Sequence, residues 1–313
     1  MAITKEKRIN IGKFHLALGM DVADAEKMRQ AAPYKYLIRP MLSFVSSLGS
    51  RRNGARANGH RRPAIQEPIP AAMTDEAHEV MDRIKDIDWY HVIELPHGVV
   101  TQGFVDHRNQ LDMYGLPEDM TGMRALDVAT YDGFWAREME RRGAEVVAID
   151  IETMADVDLP RNWEEEMRKS GIDKPTGAGF KIAAELLDSK VRREICSVYD
   201  LGPEKFGMFD VAFCSDLLLH LRDPLKAIEN VWRVVKQYAI FADVYQPELE
   251  NLGAPLIEFA VKPPIAMWWR PNSRCLKDMM KVARFSRIEE ISRFQLNTDI
   301  ERELHKIVLK AYR

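Results

Sequence analysis

Short apolar runs alternate with amphipathic runs along the chain from Arg124 onward. A short apolar run is typical of a buried parallel strand, and an amphipathic run between two of them is typical of a crossover helix. The pattern predicts strands at residues 125–129, 145–149, 194–198, 209–215 and 238–242. It predicts helices at residues 134–142, 161–170, 181–189 and 224–236.

The last part of the chain adds a helix and a hairpin to this pattern. The helix is predicted at residues 273–282 with Ser273 as its N-cap, and the strands are predicted near residues 287–293 and 305–311. These elements bring the predicted sheet to seven strands. The sequence therefore predicts an α/β, Rossmann-like fold, in which a mostly parallel seven-stranded sheet is flanked by helices.

The first part of the chain follows a different pattern. Residues 14–47 have helical-looking apolar spacing interrupted by Pro33 and Pro40, and residues 49–63 are rich in glycine, asparagine and arginine. The second stretch has too little apolar surface to offset the entropy of ordering it, so we interpret it as a mobile linker. It serves either as a solvated hinge or as a basic arm that contacts phosphate.

A helix is predicted at residues 74–88, where Thr74 is the N-cap. Its apolar side chains lie on one face, namely Ala77, Val80, Met81 and Ile84. We divide the chain into an N-terminal helical extension with a flexible basic linker (1–70), an N-terminal cap (71–123) and the main domain that it covers (124–313). The main domain carries a lid insertion at about residues 245–272.

Composition narrows the class of protein. The chain has 313 residues and 46% hydrophobic residues, and 45 Lys and Arg against 48 Asp and Glu give a net charge of −3. No overall field attracts it to nucleic acid. No apolar run is long enough to span a bilayer, and the first residues lack an apolar signal core. Three widely spaced cysteines fit a reducing compartment, so we expect a cytoplasmic location.

The most informative segment is residues 125–135, where a predicted strand containing Asp127 turns directly into a helix. Such a turn presents backbone N–H groups at the carboxyl edge of the sheet, where open α/β sheets bind ligands. Gly133 permits close approach of a ligand or of the chain itself. The next strand ends at Asp150, about twenty residues further on, where an acidic side chain can accept hydrogen bonds from both hydroxyls of a ribose.

The residues of this loop distinguish a dinucleotide cofactor, which carries a pyrophosphate, from a nucleoside cofactor without phosphate. A pyrophosphate needs two or three glycines around it, whereas this loop offers Ala129, Thr130, Tyr131 and one glycine. A carboxylate at Asp127 would also repel phosphate, but it suits the ammonium and sulfonium charges of S-adenosylmethionine (AdoMet). AdoMet is therefore the predicted cofactor. The alternative is that both acidic residues only cap helices.

Residues 126–143 (LDVATYDGFWAREMERRG) resemble the first motif of class I AdoMet-dependent methyltransferases. Within that class they resemble the branch that contains the bacterial tRNA wobble-uridine methyltransferases and carboxymethyltransferases. Three further runs resemble the same branch, in the same order: residues 89–103 with 106–108, residues 215–225 (SDLLLHLRDPL) and residues 268–273 (WWRPNS). The resemblance covers about residues 89–313.

The resemblance implies roles for particular residues. Asp127 and the turn 129–133 would hold the methionine part of AdoMet, and Asp150 would hold the ribose. Asp200 would accept from the adenine amino group, with Ile151 and Leu201 packed on the ring, and residues 215–217 would line the sulfonium side. The predicted cofactor-binding residues are Asp127, Ala129, Thr130, Tyr131, Gly133, Asp150, Ile151, Asp200, Leu201, Ser215 and Asp216. Glycine usually stands at Ala129 and Tyr131 in the family.

Two histidines are candidates for removing a proton from the acceptor. His220 follows the fourth strand, beside the methyl position that the resemblance implies, and a histidine suits base catalysis near neutral pH. His91 is the second candidate; the alternative for His220 is a buried histidine bonded to a carbonyl. The predicted acceptor-binding residues are Trp89, Tyr90, His91, Glu258, Trp268, Trp269 and Arg270. Trp89 and His91 are expected on one face and Tyr90 on the other.

Three functions compete on the sequence alone. The first is methyl transfer to a small molecule, at a hydroxyl or a carbon. The second is tRNA wobble-uridine modification, which the absence of a dense basic stripe disfavours and the basic linker favours. The third is a non-catalytic AdoMet-binding regulator, which a blocked acceptor pocket would indicate. No metal site is predicted, since no acidic or histidine cluster has ligand spacing, and the sequence assigns no oligomeric state.

Overall fold

The computed structural model describes residues 74–161, 175–261, 267–296 and 304–313. It also describes the backbone of two N-terminal strands, β1 (Lys7–Ile11) and β2 (Phe14–Leu18), which pair antiparallel. A strand at residues 14–18 corrects the helical interpretation of that stretch, because apolar residues there alternate with period two. The predicted linker at residues 49–63 and most of the predicted helix at residues 161–170 lie outside the described residues.

A seven-stranded sheet forms the centre of the main domain, with the strand order β5-β4-β3-β6-β7-β11-β10. Its first five members are parallel, and β11 is antiparallel to both of its neighbours. The strands are β3 (Arg124–Val128), β4 (Glu145–Asp150), β5 (Arg192–Ile195), β6 (Phe209–Ser215), β7 (Val235–Val244), β10 (Arg287–Gln295) and β11 (His305–Tyr312). A small hairpin outside the sheet consists of β8 (Ile257–Phe259) and β9 (Trp269–Pro271). The predicted fold class is confirmed.

Helices cover both faces of the sheet. They are α1 (Asp75–Ile84), α2 (Phe134–Arg141), α3 (Ala178–Leu186), α4 (Pro203–Phe206), α5 (Pro224–Val234) and α6 (Ser273–Val282). Successive residues of each strand point to opposite faces, so Leu126 and Val128 join the core under α5 and α6, whereas Ala125 joins the core under α2. Each face therefore has its own apolar core, and the sheet order reverses between β3 and β6. In open α/β sheets that reversal opens a ligand crevice at the carboxyl ends of the strands.

The start of α1 agrees with the prediction, whereas the helix ends at Ile84 rather than at residue 88. Thr74 caps α1 by accepting from the backbone N–H of Ala77 at 3.2 Å. The predicted cap of α6 is wrong: Asn272 is the N-cap, with its Oδ1 accepting from the N–H of Cys275 at 2.9 Å. Ser273 instead donates its N–H and its hydroxyl to Glu250. An adjacent polar residue thus took the capping role.

Other boundaries are displaced as well: α5 ends at Val234 rather than at residue 236, and β7 spans Val235–Val244 rather than residues 238–242. Helix α3 begins three residues before the predicted residue 181, because Gly177 adopts φ +82° as its N-cap. Strand β5 ends at Ile195 rather than at residue 198, because Ser197 caps a short 3₁₀ turn at Val198–Asp200. Within the described residues, no helix is long and apolar enough to cross a membrane.

Candidate functional site

A deep cavity lies at the carboxyl ends of β3, β4 and β6, where the strand order reverses. Its wall contains many of the residues expected from the sequence, namely Tyr90, His91, Asp127, Ala129, Tyr131, Asp150, Ile151, Ser215, Asp216 and His220. Three separate strand ends and the N-terminal cap of the domain therefore contribute to one site. The remaining expected residues do not line this cavity.

The turn between β3 and α2 shapes the floor of the cavity. Ala129 and Tyr131 both have positive φ, at 61° and 50°, which brings the backbone across the end of the sheet. Thr130 is buried and lies outside the cavity wall. Gly133, with φ +82°, has no room for a Cβ, because one would meet the Phe180 ring at 2.5 Å. The chain itself makes the close approach there, one of the two alternatives that the sequence allowed.

Two carboxylates stand at the ends of β3 and β4. Asp127 is 2% exposed, and its Oδ2 has no hydrogen-bond partner among the described residues. Burial raises the pKa of Asp127 to about 7. Asp150 accepts from the backbone N–H groups of Tyr131 at 2.7 Å and of Ile151 at 2.8 Å, and burial raises its pKa as well. A cationic ligand would recover part of the cost of burying these charges.

His91 lines the cavity and forms a buried pair with Asp132, which is not itself a wall residue. The distance from His91 Nδ1 to Asp132 Oδ1 is 2.5 Å, and Asp132 Oδ2 accepts from the backbone N–H groups of Tyr90 and His91. Burial acts to raise the pKa of Asp132, but the charge and hydrogen bonds of His91 outweigh it and hold the pKa below its ordinary value. The Phe134 ring stacks on the imidazole at 5.1 Å. Asp132 and Phe134 together fix the orientation of His91.

The end of β6 carries a second polar cluster. Lys306 is fully buried, and its Nζ donates to the carboxylate of Asp216 and to the hydroxyl of Ser215. Asp243 lies beside them and accepts from the backbone N–H groups of Leu218 and Val244. Burial and the neighbouring charge of Asp216 raise the pKa of Asp243 to about 7. Ser215 and Asp216 face the cavity, whereas Lys306 supports them from behind.

The two ends of the cavity differ in the elements that form them. Toward β4 and β5 the wall is formed by Met154, Val157, Leu159, Val198, Tyr199 and Leu221. Toward β6, β7 and β11 it is formed by Phe104, Leu219, Val244, Met267 and Leu304. Both ends are largely apolar. The same wall also contains the polar side chains of His91, Asp216 and His220.

Three expected site residues lie elsewhere. Trp89 is buried against α1, and its indole N–H donates to the carbonyl of Ile84 at 3.3 Å. Tyr90 and His91 both reach the cavity, so the expected alternation of faces fails, because this segment bends around Asp132 and is not a regular strand. Leu201 is fully buried in the core, and Asp200 is exposed outside the cavity wall.

The residues expected from the insertion also miss the cavity wall. Glu258 and Arg270 bond to each other at 2.8 Å across the β8–β9 hairpin. Trp268 donates its indole N–H to the carbonyl of Asp158 at 2.7 Å, and Trp269 donates to that of Arg222 at 3.3 Å. Both tryptophans therefore bind the outer side of segments that carry wall residues. The insertion reaches the cavity through Met267, a residue that no sequence pattern distinguished.

Several wall residues were not predicted from the sequence. Tyr199 packs in the first end of the cavity, and its hydroxyl donates to Asp158 at 2.5 Å. Asp132 and Lys306 support wall residues from sequence distances of 41 and 90 residues. A single sequence carries no signal for such distant contacts. Within the described ranges, no group of three or more His, Cys, Asp or Glu side chains could hold a metal ion.

Comparison with known proteins gives a consistent result. A family model described as a methyltransferase domain matches residues 109–290. A ubiquinone biosynthesis O-methyltransferase of Xanthomonas oryzae pv. oryzae is 28% identical over 127 residues, which are 41% of this chain and 44% of that protein. A magnesium-protoporphyrin O-methyltransferase of Rhodobacter capsulatus is 28% identical over 159 residues, 49% of this chain and 53% of that protein. The chain thus spans about half the length of the curated relatives it matches.

A solved structure supports the fold. The N-terminal domain of EvdMO1, crystallised in the presence of S-adenosylhomocysteine (SAH) and D-fucose, has a TM-score of 0.52 and 18% sequence identity. The match covers 77% of this chain and 97% of that domain. At this identity the likeness concerns the architecture alone.

Proposed function

Because this chain belongs to the methyltransferase domain family, matched over residues 109–290, we propose that it transfers the methyl group of AdoMet to a hydroxyl of a small, largely apolar molecule. The observation that carries the proposal is the His91–Asp132 pair, whose His91 lines the cavity together with Asp127 and Asp150. It combines an oriented base with carboxylates placed for a cationic nucleoside. A methyl acceptor with an ionisable proton needs such a base.

The residues at the end of β3 fit the amino-acid part of AdoMet. Asp127 Oδ2 and Trp135 Nε1 are both buried in residues that line the cavity, and neither has a hydrogen-bond partner among the described residues. One is an acceptor and the other a donor, as the ammonium and carboxylate groups of an amino acid require. Unpartnered buried groups are costly, so a ligand that satisfies both would bind with a gain.

The next strand fits the nucleoside part. Asp150 has accepting capacity left after its two backbone hydrogen bonds, and this suits the hydroxyls of a ribose. Beyond it, Met154, Leu159 and Tyr199 form apolar walls for a flat base. Asp200 is exposed, so we assign the adenine end to these walls rather than to that carboxylate.

The chemistry follows from the position of His91. AdoMet, when bound, supplies a methyl group on positively charged sulfur, so the acceptor oxygen displaces a neutral thioether in line. The charged carboxylate of Asp132 accepts from Nδ1, which therefore carries the proton and leaves the lone pair of Nε2 available. Nε2 takes the hydroxyl proton, and Asp132 stabilises the resulting imidazolium. His220, also in the wall, is the alternative base.

The apolar second end of the cavity defines the acceptor class. Phe104, Leu219, Val244, Met267 and Leu304 surround the space beside His91 and Asp216. Such a wall suits a flat or aliphatic body that carries a hydroxyl. Because these side chains and His91 line one cavity, an acceptor has a place to bind beside a base, and a non-catalytic regulator is the weaker proposal. The three cysteines are free thiols, which fits the cytoplasmic location that we propose.

Replacing Asp150 with alanine should weaken binding of SAH by about one to two decades, or roughly 1–3 kcal/mol, because the ribose hydroxyls lose their acceptor. Isothermal titration calorimetry on the full chain measures this. Asp112→Ala, at an exposed carboxylate, is the matched control and should bind SAH like the wild type. Equal affinity of the Asp150 variant and the wild type would contradict the placement of the ribose.

A tRNA substrate remains the second proposal, supported by the arginines of residues 51–62 and by the resemblance to the wobble-uridine branch. A carboxymethyl donor would in addition need a cation for its extra carboxylate. Lys306 is buried behind the cavity wall, and its ammonium is already bonded to Asp216. The small-molecule proposal therefore has the stronger structural support.

The two proposals differ in their dependence on salt. If the small-molecule proposal is right, a truncated protein starting at Pro63 should keep the SAH affinity of the full chain, and neither protein should bind tRNA measurably at 150 mM salt, roughly physiological. Filter binding at several salt concentrations measures this. Tight tRNA binding by the full chain, with a steep salt dependence that the truncation flattens, would favour the tRNA proposal instead.

A further inference from the structure

The turn after β3 has a tyrosine at a position that favours glycine. Tyr131 has φ +50°, in the left-handed region, which is unfavourable for any residue with a Cβ. Its backbone N–H donates to Asp150 Oδ2 at 2.7 Å. A glycine would keep that hydrogen bond and would adopt the same φ without strain. The backbone of the turn therefore gives no reason for a side chain at this position.

The side chain of Tyr131 is part of the cavity wall rather than of a core. Tyr131 is half-buried and lines the cavity, and among the described residues it is not a member of the two apolar cores that cover the faces of the sheet. By contrast, Phe104 is buried in a small cluster with Val105 and Leu296, and Tyr90 packs on that cluster. Packing thus explains Tyr90 and Phe104 but not Tyr131. A strained residue that the core does not require is a candidate for a role in ligand binding.

Three rings form one aromatic surface in the cavity wall, which consists of Tyr90, Phe104 and Tyr131. The centre of the Tyr90 ring lies 5.9 Å from that of Tyr131 and 5.8 Å from that of Phe104, and the ring planes meet at 63° and 47°. The imidazole of His91 lies next to this surface, 4.7 Å from the centre of the Tyr90 ring. Burial raises the pKa of Tyr90 well above its ordinary value, so its phenol is neutral. An acceptor hydroxyl at His91 would therefore bring the body of the acceptor against these rings.

We propose that Tyr131 determines the class of acceptor: with Tyr90 and Phe104, it selects a planar aromatic hydroxyl compound over a saturated one with the same carbon skeleton. This inference rests on the proposed function and narrows its acceptor class. Inclined rings with centres about 4.5–7 Å apart attract a further flat ring through its edge or its face, beyond the apolar area that the ring buries. A saturated ring buries a similar area without this interaction. An aromatic hydroxyl also ionises more readily than an aliphatic one, which suits proton removal by a histidine.

The test compares thymol with menthol, which has the same carbon skeleton and hydroxyl but a saturated ring. Calorimetry on the full chain, saturated with SAH, gives the affinity for each compound. We expect the wild type to bind thymol about tenfold more tightly than menthol, and we expect Tyr131→Gly to reduce this preference to about twofold. The affinity of Tyr131→Gly for SAH should change less than about twofold, because the N–H that holds Asp150 is retained.

Two control variants separate the ring from the backbone. Tyr131→Phe keeps the ring and should keep the wild-type preference for thymol. Arg284→Gly places a glycine at another left-handed position, with φ +76°, outside the cavity wall, and should keep the preference as well. Thermal unfolding checks that each variant is folded. If Tyr131→Gly does not fold, Tyr131→Leu, which has an apolar side chain without a ring, takes its place and should show the same loss of preference.

Several outcomes would overturn the inference. An unchanged preference for thymol in the variant without the ring would show that Tyr131 does not select the acceptor, even if its affinity for SAH falls. Equal affinity of the SAH-bound wild type for thymol and menthol, or binding of neither compound, would show that the site does not select an aromatic acceptor. A loss of the preference in Tyr131→Phe would assign the effect to the hydroxyl rather than to the ring. If the wild type does not bind SAH, the proposed function fails instead.

Discussion

Replacing His91 with alanine should slow single-turnover methyl transfer by about 10²–10⁴-fold at saturating acceptor, with SAH affinity changed little. The imidazole takes the hydroxyl proton, and the carboxylate of Asp132 holds its Nδ1. The measurement uses rapid quench with isotopically labelled AdoMet and an apolar phenol that the wild type methylates. This variant should therefore bind SAH almost as the wild type does but transfer the methyl group slowly.

Two further variants identify the base. Asp132→Asn keeps the shape of the pair but removes the charge that stabilises the imidazolium, so it should slow transfer by a similar order. His220→Ala tests the alternative base in the same assay. If His220→Ala slows methyl transfer and His91→Ala does not, His220 rather than His91 is the base. If neither slows transfer by even tenfold, base catalysis by these histidines is wrong, and positioning alone carries the reaction.

Replacing Lys306 with methionine should destabilise the fold by about 3–5 kcal/mol, because it leaves the carboxylate of Asp216 in a buried site without its ammonium. Urea unfolding followed by circular dichroism measures the free energy of unfolding. The loss should appear as a lower midpoint with little change in the slope of the transition.

Lys310→Met is the matched control in the same strand. Lys310 is half-buried, and its ammonium lies 3.9 Å from the centre of the Tyr238 ring, so its loss should cost about 1 kcal/mol or less. Equal stability of Lys306→Met and the wild type would show that the buried ammonium contributes nothing net to folding. It would also remove the reason for assigning Lys306 a supporting role.

The fold could be predicted because its signals are local. Strands β3, β4 and β6 are apolar runs of the right length, and their predicted bounds differ from the observed ones by at most one residue. Thr74 could be recognised as a cap because its partner lies three residues away. The methyltransferase class is confirmed by the family match, and its motif likewise lies within one continuous segment.

Where the observed boundaries differ from the predicted ones, neighbouring residues compete for the same capping or turn-forming role. Asn272 and Ser273 are both good capping residues in adjacent positions, and the choice between them depends on Glu250, which takes the hydroxyl of Ser273 from 23 residues away. Strand β5 reads as continuing past Ile195, but Ser197 turns the chain. The cap of α6 thus depends on a contact 23 residues away, whereas the end of β5 depends on Ser197, which accepts from the backbone N–H of Tyr199 two residues on.

The part of the candidate site that could be predicted is the part formed by residues at strand ends. Asp127, Asp150 and Asp216 reach the cavity because strand direction alone places them at the same edge. Trp89 and Trp268 are bulky aromatic side chains of the kind that line ligand sites, yet each donates its indole N–H to a backbone carbonyl, and neither lines the cavity. The partners that orient His91 and Asp216 come from other elements. Only the folded chain brings these pairs together.

A crystal structure of the full chain with SAH would show directly whether the cavity is the donor site. We expect the ribose hydroxyls within hydrogen-bond distance of Asp150, the amino group at Asp127, and the sulfur facing the space between His91 and Asp216. The part of the cavity beyond the sulfur should then be bounded by Leu219, Val244 and Met267. SAH bound elsewhere, or bound in the cavity with its sulfur turned away from His91 and Asp216, would show that this assignment of the site is wrong.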